Sequence, residues 1–216
     1  MRIESVRNRG LRQWARVAVL VAVAMCTTSA YSASKAVLVL GDSLSAEYGL
    51  ARGEGWVALL EQRLKESGID VTLINASISG ETTSGGKTRL AALLSKNQPD
   101  VVVVELGAND GLRGLALGDT QKNLRDIINA SKKSKARVVL VGMQLPPNYG
   151  TDYTKRFAAI FPTLAKETRS SLVPFMLDGV VSQPQLFQAD RIHPTAQAHP
   201  IILDNIWPQL KPLLSK

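Results

Sequence analysis

Short apolar segments rich in valine and leucine recur along this chain, and an amphipathic stretch separates each from the next. Apolar residues at successive positions are typical of parallel strands that are covered on both faces. The strands predicted in this way are Ala36–Leu40, Val71–Ile74, Val101–Val104, Arg137–Val141 and a weaker fifth, Leu172–Phe175, which is interrupted by Pro174.

The stretches between these segments repeat their apolar residues with helical spacing. The predicted helices are Trp56–Glu66, Thr88–Ser95, Gln121–Lys132, Lys155–Arg169 and Thr195–Leu213, the last interrupted by Pro200 and Pro208. Alternation of strands and helices predicts one doubly wound α/β domain. Ligands of such domains bind beyond the carboxyl ends of the strands, so the loops at those ends are the first place to search for chemistry.

Residues 1–33 have the order of regions found in a secretory signal. Five arginines within the first 16 residues precede the apolar run Val17–Met25, and small residues follow. The apolar run is too short to span a bilayer comfortably. We expect cleavage after about residue 30 to 33, which leaves residues 34–216 as the mature domain. An uncleaved membrane anchor and a lipid anchor on Cys26 are the alternatives.

Cys26 is the only cysteine of the 216 residues. The mature domain is therefore expected to have no disulfide and no cysteine nucleophile or ligand, which suits a bacterial periplasm or exterior. The net charge of +8 falls to +4 without the first 16 residues, and aromatic residues make up 5% of the chain. We therefore expect no nucleic-acid partner, no stable membrane insertion after signal cleavage, and a monomer.

Three polar or glycine residues follow the first three predicted strands. Ser43, in Gly41–Leu44, comes where a helix is expected to begin, and the free N–H groups at the start of a helix favour an anion. Ser43 could instead simply cap that helix. Gly80 offers a bare backbone N–H to a ligand, or is a turn glycine. Asn109 could aim its amide at the same place, or be an ordinary turn asparagine.

The segment Asp190–His193 precedes the last predicted helix. An aspartate three residues before a histidine can accept the Nδ1 proton, which leaves Nε2 free to take a proton from a serine. His193 could instead cap a helix or lie on the surface. His199 is the only other histidine, and we expect it to be structural.

This ordered set of residues resembles the SGNH (GDSL) hydrolase superfamily, whose name gives its Ser, Gly, Asn and His. The matching blocks are Gly41–Leu44, Gly80, Gly107–Asp110 and Asp190–His193, and the resemblance covers nearly the whole mature chain. Further similar stretches narrow it to bacterial periplasmic esterases and thioesterases. Ala108 departs from the pattern, since a second glycine is usual there, but the catalytic set stays intact.

The resemblance implies a flavodoxin-like three-layer α/β/α sandwich around a five-stranded parallel sheet. It implies a serine esterase or thioesterase that acts on acyl esters, including acyl-CoA, lysophospholipids and aryl esters, without a metal or organic cofactor. Ser43, Asp190 and His193 would be the catalytic residues. The backbone N–H groups of Ser43 and Gly80 and the side-chain amide of Asn109 would form the oxyanion hole.

The substrate-binding residues are inferred from apolar side chains in the loops. Three glycines punctuate the segment 111–118, which suggests a mobile lid, and a neighbouring loop would complete an acyl groove; the residues are Leu112, Leu115, Leu117, Leu145 and Tyr149. These leucines could instead pack the loop against the core. Two rival functions remain, a carbohydrate deacetylase with the same catalytic set and a non-enzymatic flavodoxin-like binding module. The apolar loops favour an acyl chain over a sugar.

Overall fold

A computed structural model describes residues 34–214, in which five strands form one parallel sheet. The strands are Lys35–Gly41 (β1), Val71–Asn75 (β2), Val101–Glu105 (β3), Arg137–Val141 (β4) and Ser171–Val173 (β5). Every neighbouring pair is parallel, and the order across the sheet is β2-β1-β3-β4-β5. The predicted α/β class and the five-stranded parallel sheet are confirmed.

Helices cover both faces of this sheet. They are Trp56–Glu66 (α1), Thr83–Asn97 (α2), Ala108–Leu112 (α3), Leu117–Lys133 (α4), Thr151–Thr168 (α5) and His199–Leu214 (α6), with single 3-10 turns at Pro147–Tyr149, Pro184–Leu186 and Ala196–Ala198. Helix α1 packs against α6, while α4 packs against both α2 and α5. The three layers are therefore the α1 and α6 pair, the sheet, and the group of α2, α4 and α5.

The core is centred on the two middle strands. The side chains of Val37–Leu40 in β1 and Val101–Val104 in β3 are fully buried, as expected for strands that carry apolar residues on both faces. The outer strands β2 and β5 are only partly buried. On α4, Leu124, Ile127 and Ile128 form a buried stripe at helical spacing, and this stripe holds the helix against the sheet.

Only α1 has its predicted bounds, and the other four predicted helices begin at other residues than predicted. Helices α4 and α5 each begin four residues early, at Leu117 and Thr151. Helix α2 begins at Thr83, five residues before the predicted start, because the side chain of Thr82 caps it by accepting from the N–H of Gly85. Helix α6 begins at His199, so Pro200 lies in its first turn, where a missing N–H breaks no helical hydrogen bond. Helix α3 was not predicted, since only five residues form it.

The strand order reverses between β1 and β3, which is the topological switch point of this sheet. Chain segments leaving β1 and β3 diverge to opposite faces there and open a crevice at the carboxyl edge. Gly41 at the end of β1 pairs with Glu105 at the end of β3. The loops that carry Ser43 and Asn109 therefore start side by side, and the crevice between them positions the site described below.

The predicted signal segment, residues 1–33, lies outside the described residues, so its cleavage and the domain boundary stay predictions. In the part of the chain from residue 34 to 214, none of the helices combines the length and the apolar character needed to cross a membrane.

We predict that Gly142→Ala destabilises the fold. Gly142 follows β4, and a Cβ added to it would overlap the carbonyl oxygen of Pro174 and lie 2.8 Å from that of Val173. The clash is with backbone, which cannot move aside without separating β4 from β5. The free energy of unfolding, measured by urea titration, should fall by about 1–3 kcal/mol.

The matched control is Gly118→Ala on the exposed side of α4, where an added Cβ meets nothing within 4 Å. Its free energy of unfolding should stay unchanged or rise by up to about 1 kcal/mol, because alanine favours a helix over glycine. Equal effects of the two substitutions would show that the close approach at Gly142 is unimportant.

Candidate active site

Ser43, His193 and Asp190 form a hydrogen-bonded chain at the carboxyl edge of the sheet. The Oγ of Ser43 lies 2.9 Å from Nε2 of His193, and Nδ1 of His193 lies 2.6 Å from Oδ2 of Asp190. An ionised carboxylate can only accept, so Nδ1 carries the proton and Nε2 has a free lone pair facing the serine. The imidazole is thus held in the tautomer that can accept the serine proton.

The segment from Asp190 to His193 curls back on itself to make this contact. Oδ1 of Asp190 accepts from the backbone N–H groups of Ile192 and His193, at 2.9 and 3.0 Å, and Arg191 takes a left-handed conformation with φ of 58°. Burial acts to raise the pKa of Asp190, but the two N–H groups and the His193 ring outweigh it and lower that pKa to about 2. Asp190 is therefore ionised throughout the neutral range.

The backbone after β1 differs from the expectation for Ser43. Ser43 lies in a run of hydrogen-bonded turns, in which the carbonyl of Asp42 accepts from the N–H groups of Ser45 and Ala46, and α1 does not begin until Trp56. The expected position of Ser43 at the start of a helix was therefore wrong. Its surroundings depend on the turn and on the buried side chains beneath it.

Of the three residues predicted to form the oxyanion hole, Ser43 and Asn109 line the crevice, whereas Gly80 is not among its lining residues. Among residues 34–214, no hydrogen bond engages the backbone N–H of Ser43 or of Gly80, which has a φ of 78° that suits glycine. The side chain of Asn109 uses one amide hydrogen to donate to Oδ2 of Asp42 at 3.0 Å. Because an amide nitrogen carries two hydrogens, a second remains for a ligand.

Two buried carboxyl groups lie beneath Ser43. The Oδ1 of Asp42 accepts from the N–H of Leu44 at 3.0 Å, and Oε2 of Glu105 accepts from the N–H of Asp42 at 3.1 Å. Burial raises the pKa of Asp42 to about 6 against the effect of its hydrogen bonds. Burial and the adjacent charge of Asp42 raise the pKa of Glu105 well above its ordinary range. Burial therefore disfavours the ionised form of both carboxyl groups.

Hydrogen bonds of Asp110 connect the loop that carries Gly80 to the segment that carries Asn109. It is buried, and its carboxylate accepts from the backbone N–H of Thr83 at 2.9 Å and from the Thr83 hydroxyl at 2.5 Å. Thr83 is the first residue of α2, three positions after Gly80. On the other side of the same loop, Arg113 donates to the carbonyl of Gly80 at 2.8 Å. These bonds keep the two candidate donors at a constant separation.

A cavity of about 1190 Å³ opens from Ser43, Asn109 and His193. Its walls come from the loop after β4 and from the long connection between β5 and α6, and most of the side chains there are apolar, including Met143, Leu145, Phe175, Leu177, Val181 and Phe187. An apolar cavity that ends on a few convergent polar groups is typical of a small-molecule site.

The predicted substrate-binding residues divide into two groups. Leu112 and Leu145 line the cavity, whereas Leu115, Leu117 and Tyr149 are not among its lining residues. Leu117 packs against the core instead, and Leu115 is 42% exposed. The hydroxyl of Tyr149 donates to the carbonyl of Leu112 and that of Tyr153 to the carbonyl of Leu115, so the segment 111–118 is tied to the residues around the start of α5.

Sequence reasoning missed the wall formed by the connection between β5 and α6. Twenty-five residues separate Val173 from His199 there, with apolar side chains such as Val181 and Phe187 but no long helix. Connections of this length inside a compact domain are usually functional. That length, together with the apolar residues at non-helical spacing, was the signal that could have identified the wall.

The sequence and the fold are similar to those of known esterases and thioesterases. The profile of the GDSL-like Lipase/Acylhydrolase family matches residues 39–201. Esterase TesA of Pseudomonas aeruginosa is 46% identical over 192 residues, covering 89% of this chain and 96% of that protein. Thioesterase 1/protease 1/lysophospholipase L1 of Escherichia coli is 44% identical over 184 residues, covering 85% of this chain and 87% of that protein. The crystal structure of the psychrotrophic esterase EstA from Pseudoalteromonas, inhibited by monoethylphosphonate, has a TM-score of 0.80 and 41% identity, covering 84% of this chain and 100% of that one.

The other histidine, His199, has the structural position expected for it. It is 2% exposed, and its Nδ1 accepts from the backbone N–H of Trp56 at 3.0 Å, which caps the first turn of α1. Burial lowers the pKa of His199 from 6.5 to about 4, although the charges of Glu47 and Glu54 act in the opposite direction. The folded protein therefore binds this proton less readily than the unfolded chain does.

We predict a loss of stability at acid pH that depends on His199. The unfolded chain protonates this histidine below pH 6.5 and the folded protein only below about 4, so stability falls as the pH is lowered between these values. His199→Gln can still accept from Trp56 but does not titrate. The free energy of unfolding of wild type, relative to this variant, should fall by about 3 kcal/mol between pH 7 and 4. Parallel curves for the two proteins would contradict the assignment.

Proposed function

Because this chain belongs to the GDSL-like Lipase/Acylhydrolase family and is an ester hydrolase, we propose that it cleaves acyl esters and thioesters through an acyl-enzyme formed on Ser43. The observation that carries this proposal is the hydrogen-bonded chain from Ser43 through His193 to Asp190, with contacts of 2.9 and 2.6 Å. This geometry suits general-base activation of a serine.

In the acylation step, Oγ of Ser43 attacks the carbonyl carbon of the substrate while Nε2 of His193 takes the hydroxyl proton. The negative charge that develops on the carbonyl oxygen is stabilised by three donors, the N–H groups of Ser43 and Gly80 and the second amide hydrogen of Asn109. Asp190 holds the imidazole and stabilises its protonated form. The tetrahedral intermediate then collapses, and His193 gives the proton to the leaving alcohol or thiol.

Deacylation follows the same path with water as the nucleophile. His193 accepts a proton from the water, which attacks the acyl carbon, and it returns that proton to Oγ of Ser43 as the carboxylic acid leaves. The net reaction adds one water across the ester or thioester bond. The three oxyanion donors serve both steps, since the same oxygen becomes negative in each.

The acyl chain occupies the cavity of about 1190 Å³ that opens from Ser43. Its apolar wall suits a medium or long hydrocarbon chain better than an acetyl group, because each buried methylene contributes about 0.8 kcal/mol. Acyl-CoA, lysophospholipids and aryl esters all carry an acyl group that could enter this cavity. The acetyl group of a deacetylase substrate would contact little of this apolar wall.

The enzyme is proposed to act in the periplasm or outside a bacterial cell. The support for this location is the arrangement of residues 1–33, where arginines precede the apolar run Val17–Met25 and a stretch of small residues.

Ser43→Ala should abolish turnover while leaving the fold intact. Removing the nucleophile should lower kcat by at least about 10³-fold on a p-nitrophenyl octanoate assay. Labelling by a fluorophosphonate probe should disappear in the same variant, and the melting temperature should stay near that of wild type. Ser182→Ala, at an exposed serine of the β5–α6 connection, is the matched control and should keep both turnover and labelling. Labelling of the Ser43→Ala protein would refute the assigned nucleophile. If the protein were a flavodoxin-like binding module, the wild-type protein would not be labelled either.

Val181→Ser should weaken the preference for long acyl chains. Val181 lines the cavity and is 52% exposed in the absence of substrate, so the change removes apolar contact without disturbing the core. A loss of about 1 kcal/mol of apolar burial should lower kcat/KM for an octanoyl thioester about fivefold and leave that for an acetyl ester unchanged. An acetylated sugar is assayed alongside, and a higher kcat/KM for it than for the octanoyl thioester would favour the carbohydrate deacetylase.

The control for chain-length preference is Leu115→Ser, since Leu115 is similarly exposed but does not line the cavity. It should leave the ratio of octanoyl to acetyl turnover unchanged. If Leu115→Ser changed this ratio and Val181→Ser did not, the acyl chain would bind against the segment 111–118 instead.

A further inference from the structure

Glu105 is a buried carboxyl group for which the proposed mechanism has no direct use. It ends β3, is 2% exposed, and its Oε2 accepts from the N–H of Asp42 at 3.1 Å and from Oγ of Ser45 at 2.7 Å. That Ser45 oxygen in turn accepts from Nε1 of Trp56 at 3.1 Å. None of the ion pairs among residues 34–214 involves Glu105. A buried carboxyl without a cation is costly, which points to a specific role.

Asp42 connects Glu105 to the oxyanion amide. The backbone N–H of Asp42 donates to Oε2 of Glu105, and the two side-chain oxygens of Asp42 accept from the N–H of Leu44 and from Nδ2 of Asn109. The contacts form a continuous path from Glu105 through Asp42 to Asn109.

We propose that Glu105 is a positioning residue for catalysis. Its carboxyl group anchors the backbone of Asp42 and so holds the Asp42 carboxylate in the orientation that directs the amide of Asn109 at the oxyanion. Glu105 touches neither substrate nor Ser43 Oγ, so it acts only through Asp42. This inference rests on the proposed function, in which Asn109 and the Ser43 N–H stabilise the oxyanion.

The electrostatic surroundings favour the neutral form of Glu105. Burial and the charge of Asp42 raise its pKa well above the ordinary range. The titratable groups that face this site are Asp42 and Glu105 themselves and His193, whose charge acts on Asp42. Ser45, Trp56 and Asn109 complete the surroundings and are uncharged.

The test compares two substitutions at Glu105 that differ in hydrogen bonding and not in size. Glu105→Gln keeps an oxygen that accepts from the Ser45 hydroxyl and from the Asp42 N–H, so kcat should stay within about threefold of wild type. Glu105→Leu removes every one of these bonds. Its kcat on p-nitrophenyl octanoate should fall about 100-fold, as when an oxyanion donor is lost, with KM within about threefold.

A double-mutant cycle with Asn109→Ala separates this inference from the proposed function. Because Glu105 acts through Asn109, Glu105→Leu should lower kcat far less in the Asn109→Ala background than alone. Asn109→Ala with unchanged kcat would overturn the oxyanion assignment itself. If Asn109→Ala lowers kcat as expected, two results would overturn only the role of Glu105. In the first, a folded Glu105→Leu enzyme keeps the wild-type kcat. In the second, Glu105→Leu lowers kcat by the same factor in the Asn109→Ala background as it does alone.

Leu210→Ala provides the stability control, since Leu210 is fully buried on α6 and belongs to no part of the site. It should lower the melting temperature without changing kcat per labelled active site. If Glu105→Leu does not fold, Glu105→Met decides instead, since it is unbranched like glutamate but cannot accept from Ser45 or Asp42. Its kcat should fall about 100-fold with KM within about threefold of wild type. A folded Glu105→Met enzyme with wild-type kcat would overturn the proposal.

Discussion

The parallel pairing of β1 with β3 brings Gly41 opposite Glu105, and the arrangement of the site depends on this contact. Both strands are fully buried through their valines and leucines, so their register cannot slip without exposing the core. The loops leaving the two strands start from adjacent positions and diverge. Ser43 and Asn109 therefore reach the same crevice, although 66 positions separate them along the chain.

Three carboxyl groups near this crevice differ because their surroundings differ. Asp190 is partly exposed and accepts from two backbone N–H groups, so it is ionised and can orient His193. Asp42 is buried but surrounded by donors, and its pKa rises to about 6. Glu105 is buried beside that charge, and both effects raise its pKa well above the ordinary range. The same chemical group thus has a different tendency to ionise at each of the three positions, and the local environment decides it.

The cavity shows how a shared catalytic set can be combined with a particular substrate preference. The ends of β1 and β3 carry the polar groups, whereas the apolar wall comes from the loop after β4 and from the connection between β5 and α6. Changes in these two segments would alter the acyl group that fits and leave the polar groups in place. A family likeness therefore identifies the chemistry more securely than the substrate.

The sequence alone determined the α/β class, the five strands and the residues that resemble a GDSL-type set, because β-branched runs and short motifs are local properties of the chain. Its helix predictions were wrong where a cap or an early proline set the boundary, as at Thr82 and Pro200. Only the tertiary structure decided which apolar side chains face the cavity, since Leu115 and Val181 look alike in sequence and lie in different places. It alone also brought Glu105 beneath Asp42, because strand pairing joins residues whose separation along the chain carries no local signal.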